Sequence, residues 1–294
     1  MRIARFIAEG KARLGVCIAD ELIDLSIAAP DFPTSLAGLL AAGPDALDLA
    51  RKAADDAGGS ARRSWPDLPF DTLLPPAGEV GKVLCLGLNY MDHVGESTLS
   101  RPSAPQVFIR TGSSLIGAGA AIRLPAVSEQ LDFEGELAAI VGRRARDVAP
   151  DQALSCIAGF AIFNDASIRD YQFQTSQWTI GKNFDGTGAF GPVFVSADEL
   201  PPGGAGLRLE TRLNGTVVQS ANTSDMLFDV ASTVTLLSQS MTLEPGDVLV
   251  MGTPAGVGMA RTPKLWMKDG DRCEVEIEGI GILANPIRAD APAA

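Results

Sequence analysis

The stretch LDFEGELAAIV, residues 131 to 141, places two glutamates, Glu134 and Glu136, on either side of one glycine. Read as a β-strand, it puts Asp132, Glu134 and Glu136 on one face and Leu131, Phe133, Leu137, Ala139 and Val141 on the other. Carboxylates this close repel, and the repulsion is relieved by protonation, by solvent or by a cation. A half-exposed strand with a solvated acidic face is the plain alternative. Asp165 stands where the apolar run of GFAIFNDASIRDYQ stops, a strand end at which a functional side chain is displayed. A helix N-cap or Asx turn is the ordinary use of aspartate there. Three carboxylates without a His or Cys cluster specify a hard cation, with Mg²⁺ or Mn²⁺ favoured and Ca²⁺ possible, and do not support a structural zinc.

His93 is the one histidine of the chain, and Glu96 follows three residues later. If residues 92 to 96 form a helical turn, the carboxylate lies on the imidazole's face and orients it as a general base. A satisfied structural histidine is the alternative. Lys182 sits between the glycine-rich turns of WTIGKNFDGTGAFGP, where an ammonium beside a metal suits a developing anion, or else points to solvent. The loop MGTPAGVG lacks the GK[ST] of a phosphate loop, and GLG in VLCLGLNY lacks the GxGxxG spacing, so neither marks a nucleotide site. Thr253 and its neighbouring amides suit a carboxylate instead.

The elements that carry these groups follow from local pattern. RIARFIA and RLGVCIA flank EGK, a hairpin turning at Gly10. A helix is predicted from about Ser35 to Ala57, broken near Gly43 and Pro44. Glycines and prolines from Gly58 to Gly81 place a domain boundary near residue 75, after a small α+β domain (1–75) with no constellation that suggests chemistry. A catalytic domain then spans 76–288, and 289–294 reads as a tail. Within it VLCLGLNY is a strand leading into MDHVGES. The segment RPSAPQVFIRTGSSLIGAGAAIRLP reads as a mobile loop over a site. DQALSCIA and FDVASTVTLLSQSMTL read as helices. Asn214-Gly215 marks a hairpin, EPGDVLVMGTPAGVG a strand entering a glycine-rich loop, and KDGDRCEVEIEGIGILANPI two closing strands. The fold class expected is α+β, predominantly β.

Composition bounds the function. With 46% hydrophobic and 20% charged residues in 294, the chain reads as a soluble globular protein with a sizeable core. A formal charge of −12 argues against partners that need clustered Lys and Arg, such as nucleic acid or anionic membrane. An acidic small molecule remains compatible, provided a metal or local cations reverse the field. Cys17, Cys85, Cys156 and Cys273 lack CxxC spacing and read as reduced packing residues. With no signal-peptide pattern and no spanning apolar segment, a cytoplasmic location is expected.

In order, GLNYMDHVGE, DFEGELAAIVG, GFAIFNDASIRDYQ, GKNFDGTGAFGP and LEPGDVLVMGTPAGVG resemble the fumarylacetoacetate hydrolase superfamily over residues 80 to 288. The resemblance implies a mixed β-roll catalytic domain after a small N-terminal domain, in a homodimer. It maps the Mg²⁺ ligands onto Glu134, Glu136 and Asp165, and a water-activating dyad onto His93 and Glu96. It maps anion-stabilising and substrate contacts onto Lys182, Arg169, Gln172 and Thr253. The implied reaction is hydrolysis of the carbon–carbon bond of a 2,4-dioxo acid, such as maleylpyruvate or fumarylpyruvate, in aromatic or sugar-acid catabolism. Decarboxylation or isomerisation of an oxo-diacid is the nearest alternative, and a metal-stabilised binding protein is a remote one. Two departures, STLSRPSAP after Glu96 and Arg110 where lysine is frequent, fall in the expected lid and bear on substrate identity.

Overall fold

The computed structural model describes residues 1–65, 73–77, 81–96 and 103–290. Strands β1 (Arg2–Ala8) and β2 (Lys11–Ile18) form a hairpin closed by Glu9 and Gly10, whose positive φ values of 52° and 71° are what a two-residue turn requires. Strand β3 (Glu21–Asp24) extends the hairpin. Asp24 caps α1 (Leu25–Ala28), and Ser35 caps α2 (Leu36–Ala41) by accepting the Gly38 N–H. Helix α3 (Ala46–Asp55) follows the break expected at Gly43 and Pro44, with Gly43 at φ 125°. Strand β4 (Arg62–Ser64) pairs with β3, and β5 (Leu73–Leu74) pairs with β1.

The next part of the chain runs through β6 (Val83–Gly87), α4 (Met91–Glu96), β7 (Gln106–Arg110), β8 (Leu115–Ile116), β9 (Ile122–Leu124), β10 (Leu131–Asp132) and β11 (Gly135–Val141). It continues with β12 (Ile157–Asp165), β13 (Ser167–Ile168), α5 (Arg169–Gln172), α6 (Thr179–Lys182) and β14 (Gly188–Ser196). The last elements are β15 (Arg208–Leu213), β16 (Thr216–Asn222), α7 (Val230–Ser240), β17 (Val248–Val250), β18 (Arg272–Ile277) and β19 (Gly281–Ala289). The chain is α+β, predominantly β.

Four expectations need correction. The stretch 131–141, read as one strand, is divided into β10, which pairs with β13, and β11, which pairs with β12 and β17, with Phe133 and Glu134 between them. The segment read as a mobile loop builds β7, β8 and β9, because VFI and the apolar residues after it find strand partners in β6, β14 and β19. Its residues 101 and 102, like the rest of the departure STLSRPSAP up to residue 102, lie outside the described residues. DQALSC of DQALSCIA belongs to a 3₁₀ segment, Pro150–Cys156, rather than an α-helix, and Ile157 and Ala158 begin β12. The last strand includes Ala289, placed in the tail by pattern alone, because it pairs with Leu124.

A twelve-stranded sheet runs in the order β4-β3-β2-β1-β14-β12-β11-β17-β6-β7, with β5 on β1 and β8 on β14. Because β1 pairs directly with β14, the N-terminal strands and those around β11 share one sheet. A five-stranded sheet, β16-β15-β18-β19-β9, lies against it, and β10 pairs with β13. Strands β11 and β12 read as near-continuous apolar runs because both of their faces are covered. Leu137, Ala139, Phe160 and Ile162 pack with Val275 and Leu283 of the five-stranded sheet. Ala138, Ile140, Ala161 and Phe163 join Phe190, Phe194, Ile3 and Leu39 in a second core. The acidic face is therefore not half-exposed. Among the described residues no helix is long and apolar enough to cross a membrane.

Candidate active site

Backbone pairing brings the three predicted carboxylates together. Gly135 lies opposite Asn164 and Glu136 opposite Phe163, so the start of β11 is level with the end of β12. The Asp165 N–H donates to the Glu134 carbonyl at 2.9 Å, and the Glu134 N–H donates to Asn164 Oδ1 at 3.1 Å. A β-carbon on Gly135 would stand 2.2 Å from Thr211 Oγ1 on β15, so the residue between the two glutamates has to be glycine for the five-stranded sheet to approach. One oxygen each of Glu134, Glu136 and Asp165 lies within 4.8 Å of the others, and all three residues are buried.

Fixed cations surround these acids. Lys182 Nζ lies 2.6 Å from Asp165 Oδ2 and also donates to Glu134 Oε2. At 1% exposure this is no solvent-facing loop lysine. Arg169 Nη2 lies 2.6 Å from Glu134 Oε1, Nε lies 2.9 Å from Asp132 Oδ2, and Nη1 donates to Gln172 Oε1 at 2.8 Å. Arg110 donates from Nε to Asp165 Oδ1 and from Nη2 to the Ala166 carbonyl at 2.5 Å. This corrects its placement in a lid: Arg110 is the buried end of β7 and holds a carboxylate.

The site is unequal electrostatically. Burial works to raise the Glu134 carboxyl, but Arg169 and Lys182 overcome it and hold the group well below the usual range. Glu136 is pushed well above that range by burial and by the charges of Asp165 and Glu134. Its Oε2 accepts the Gly252 N–H at 2.5 Å. Burial would lower the Lys182 ammonium, yet Asp165 and Glu134 raise it, so it stays charged. With Asp132 included, four carboxylates face three fixed cations, so one negative charge is in excess once Glu136 gives up its proton. An all-oxygen donor set with surplus negative charge fits a hard divalent cation.

His93 and Glu96 meet on one face of α4, as the spacing predicts, with Nδ1 2.8 Å from Oε1. The second carboxylate oxygen of Glu96 accepts the Gly256 N–H at 2.9 Å, which ties α4 to the loop after β17. Thr253 donates its hydroxyl to the Gly135 carbonyl at 3.1 Å and accepts from Gln219 Nε2 at 2.8 Å. His93, Glu96, Glu134, Glu136, Arg169, Gln172, Lys182 and Thr253 all line one cavity of about 490 Å³. Asp165 stands behind it, held by Lys182 and Arg110.

Sequence reasoning missed the groups that brace this cavity. Gln219 accepts the Gly135 N–H at 3.0 Å, and Asp132 accepts the N–H groups of Gly258 at 2.7 Å and Met259 at 3.0 Å. Asp132 was visible as the third acid of the strand, but Gln219 carried no local signal, since its partners are remote in sequence.

Residues 82–288 match the family described as fumarylacetoacetate (FAA) hydrolase, C-terminal. The chain belongs to this family. Among curated relatives, a mitochondrial oxaloacetate tautomerase of Rattus norvegicus is 35% identical over 98% of this chain and 91% of its own length. The structure of a fumarylacetoacetate hydrolase from the psychrophile Exiguobacterium antarcticum superposes with a TM-score of 0.84 at 37% identity, over 99% of this chain and 100% of that one. Maleylpyruvate hydrolase from Sphingobium sp. SYK-6, in complex with manganese(II) and pyruvate, gives 0.80 at 28% identity, over 99% and 100%. The family thus comprises enzymes with both hydrolase and tautomerase members, and a metal-bound example shares this fold.

Proposed function

We propose that the chain is a divalent-metal-dependent hydrolase that cleaves the carbon–carbon bond of a 2,4-dioxo acid, R–CO–CH₂–CO–COO⁻. The observation that carries this reading is that the His93–Glu96 dyad lines the same cavity as Glu134 and Glu136 of the acidic site. Glu134, Glu136 and Asp165 would hold Mg²⁺ or Mn²⁺, which when bound supplies Lewis-acid stabilisation of negative charge at the 2-oxo end of the substrate. Lys182 and Arg169 hold Glu134 between them and keep positive charge at the cavity floor.

Glu96 accepts the Nδ1 proton of His93, which makes Nε2 the basic nitrogen. That nitrogen takes a proton from a water, whose oxygen adds to the 4-carbonyl. The C3–C4 bond breaks, the hydroxyl stays on the acyl carbon to give R–COOH, and C3 takes up the proton to give pyruvate. Substrate and one water account for every atom of the two acids. Gln172 and Thr253 line the path of the dioxo acid, with the Thr253 oxygen fixed by Gln219.

A second reading, keto–enol tautomerisation of an oxo-diacid, is favoured by the likeness to the rat tautomerase over nearly the whole chain. It needs a base and the same cation but no attacking water. The test is a panel of acylpyruvates and oxo-diacids followed by ultraviolet absorbance in Mg²⁺ and then in excess EDTA, with products identified by mass. Metal-dependent formation of pyruvate supports hydrolysis. An isomer with an intact skeleton moves the site to tautomerisation, carbon dioxide moves it to decarboxylation, and no turnover of any compound overturns an enzymatic role on these acids.

A further inference from the structure

The cavity has two chemically distinct halves. Its ionic floor is the buried cluster of Glu134, Glu136, Arg169 and Lys182, and its remaining wall includes Leu88, Phe108, Trp178, Val257, Met259 and Phe173. Exposure rises along that wall from buried Phe108 to Phe173, which is 49% exposed, so it leads outward from the floor. Trp178 meets Phe108 edge to face at 5.7 Å between ring centroids and Phe173 at 6.4 Å, making one continuous aromatic surface. Lys182 Nζ lies 4.9 Å from the Phe108 ring centroid, which marks where the floor ends and the wall begins.

A dicarboxylic substrate anchored at the floor would press its second carboxylate against this wall. Among the described lining residues the fixed cations are Arg169 and Lys182, and both are bonded to the floor carboxylates. His93 is held by Glu96. Against these described residues a distal carboxylate would lose water without gaining a fixed cation, which is unfavourable, whereas a phenyl or alkyl group gains from the same burial. A cavity of about 490 Å³ also leaves room well beyond a four-carbon acid.

We infer that the group R of the substrate is apolar, an aromatic ring or alkyl chain seated on Phe108, Trp178 and Phe173, and that the preferred substrate is a monocarboxylic acylpyruvate. This rests on the 2,4-dioxo-acid reading and departs from maleylpyruvate and fumarylpyruvate, whose tails carry a carboxylate. Trp178 and Phe173 are then the residues that set tail specificity.

The experiment compares benzoylpyruvate and hexanoylpyruvate with acetylpyruvate and maleylpyruvate in Mg²⁺. The benzoyl and hexanoyl compounds are expected to exceed maleylpyruvate in kcat/KM by at least about tenfold, the scale on which an apolar pocket discriminates. Trp178→Ala is expected to narrow the ratio of benzoylpyruvate to acetylpyruvate by raising KM for the former. Phe173→Arg, at a half-exposed position, is expected to raise the relative rate with maleylpyruvate. An equal or greater kcat/KM for maleylpyruvate in the unaltered protein overturns the inference. If none of the four turns over, the hydrolase reading fails separately, and calorimetry on the Mn²⁺-loaded protein decides the tail: tighter binding of benzoylpyruvate than maleylpyruvate supports it, and equal or weaker binding overturns it.

Discussion

Lys182 Nζ stands 2.6 Å from Asp165 Oδ2, with both side chains buried. The same ammonium bonds Glu134, so one cation serves two buried acids. Lys182→Met leaves both short of a partner, and loss of one member of a buried ion pair costs about 3–5 kcal/mol. The variant is expected to melt several degrees lower without metal, and to gain more from added Mg²⁺ or Mn²⁺ than the unaltered protein does. Thermal unfolding with and without metal measures both; an unchanged metal-free Tm would show that the pair contributes nothing.

Glu136 is expected to contribute a pH dependence to the site. Burial and the charges of Asp165 and Glu134 raise its carboxyl well above the usual range. An acid raised in the folded state stabilises the fold below its unfolded value and loses that contribution as pH rises through the folded one. The metal-free protein should therefore lose stability with rising pH across that window. Over the same window a divalent cation, which needs the ionised carboxylate, should bind more tightly and release a proton. Glu136→Gln should flatten the metal-free profile. Metal titration calorimetry in buffers of different ionisation enthalpy reads the proton directly, and heats independent of buffer count against the assignment.

His93 and Glu96 are expected to separate by magnitude. His93→Ala should lower kcat by about 10²- to 10⁴-fold, the usual contribution of a general base. Glu96→Gln removes the carboxylate charge and leaves one oxygen to accept from either Nδ1 or the Gly256 N–H, so a smaller fall in kcat should accompany a change in its pH profile. Steady-state kinetics on the best substrate of the panel makes the comparison. Turnover near that of the unaltered protein in His93→Ala would remove the dyad from the mechanism.

Gly135→Ala tests whether sheet packing aims the glutamates. The added carbon would meet Thr211 Oγ1 at 2.2 Å and Val275 at 3.0 Å, both in the five-stranded sheet. Overpacking of this kind costs about 1–3 kcal/mol. Because the shift is between Glu134 and Glu136, metal affinity should fall along with denaturant stability. A variant that loses stability but binds metal unchanged would show that the strand moves without displacing its carboxylates.

Much of this arrangement is local and could be read from sequence. Glu9-Gly10 and Asn214-Gly215 each supply two left-handed residues, so both hairpins follow from the residues themselves. Pro44 cannot continue a helix, and His93 and Glu96 meet because three residues are nearly one turn. Residue type suggested Glu134, Glu136 and Asp165 as a hard-cation set, and the family motifs assigned them as its ligands.

The hairpins, the helix break and the identity of the acids and their candidate base were legible because each depends on neighbours a few residues apart, whereas the single alternating strand read over 131–141 is two, β10 and β11, with Glu134 between them. The burial of the acids, the bonding of Lys182 to two of them instead of solvent, and the bracing of Asp165 by Arg110 from β7 emerge only from long-range packing. The aromatic wall of Phe108, Phe173 and Trp178 is likewise assembled from separate segments. Charge compensation and cavity shape depend on which distant side chains share a few ångströms, and strand periodicity carries no record of that.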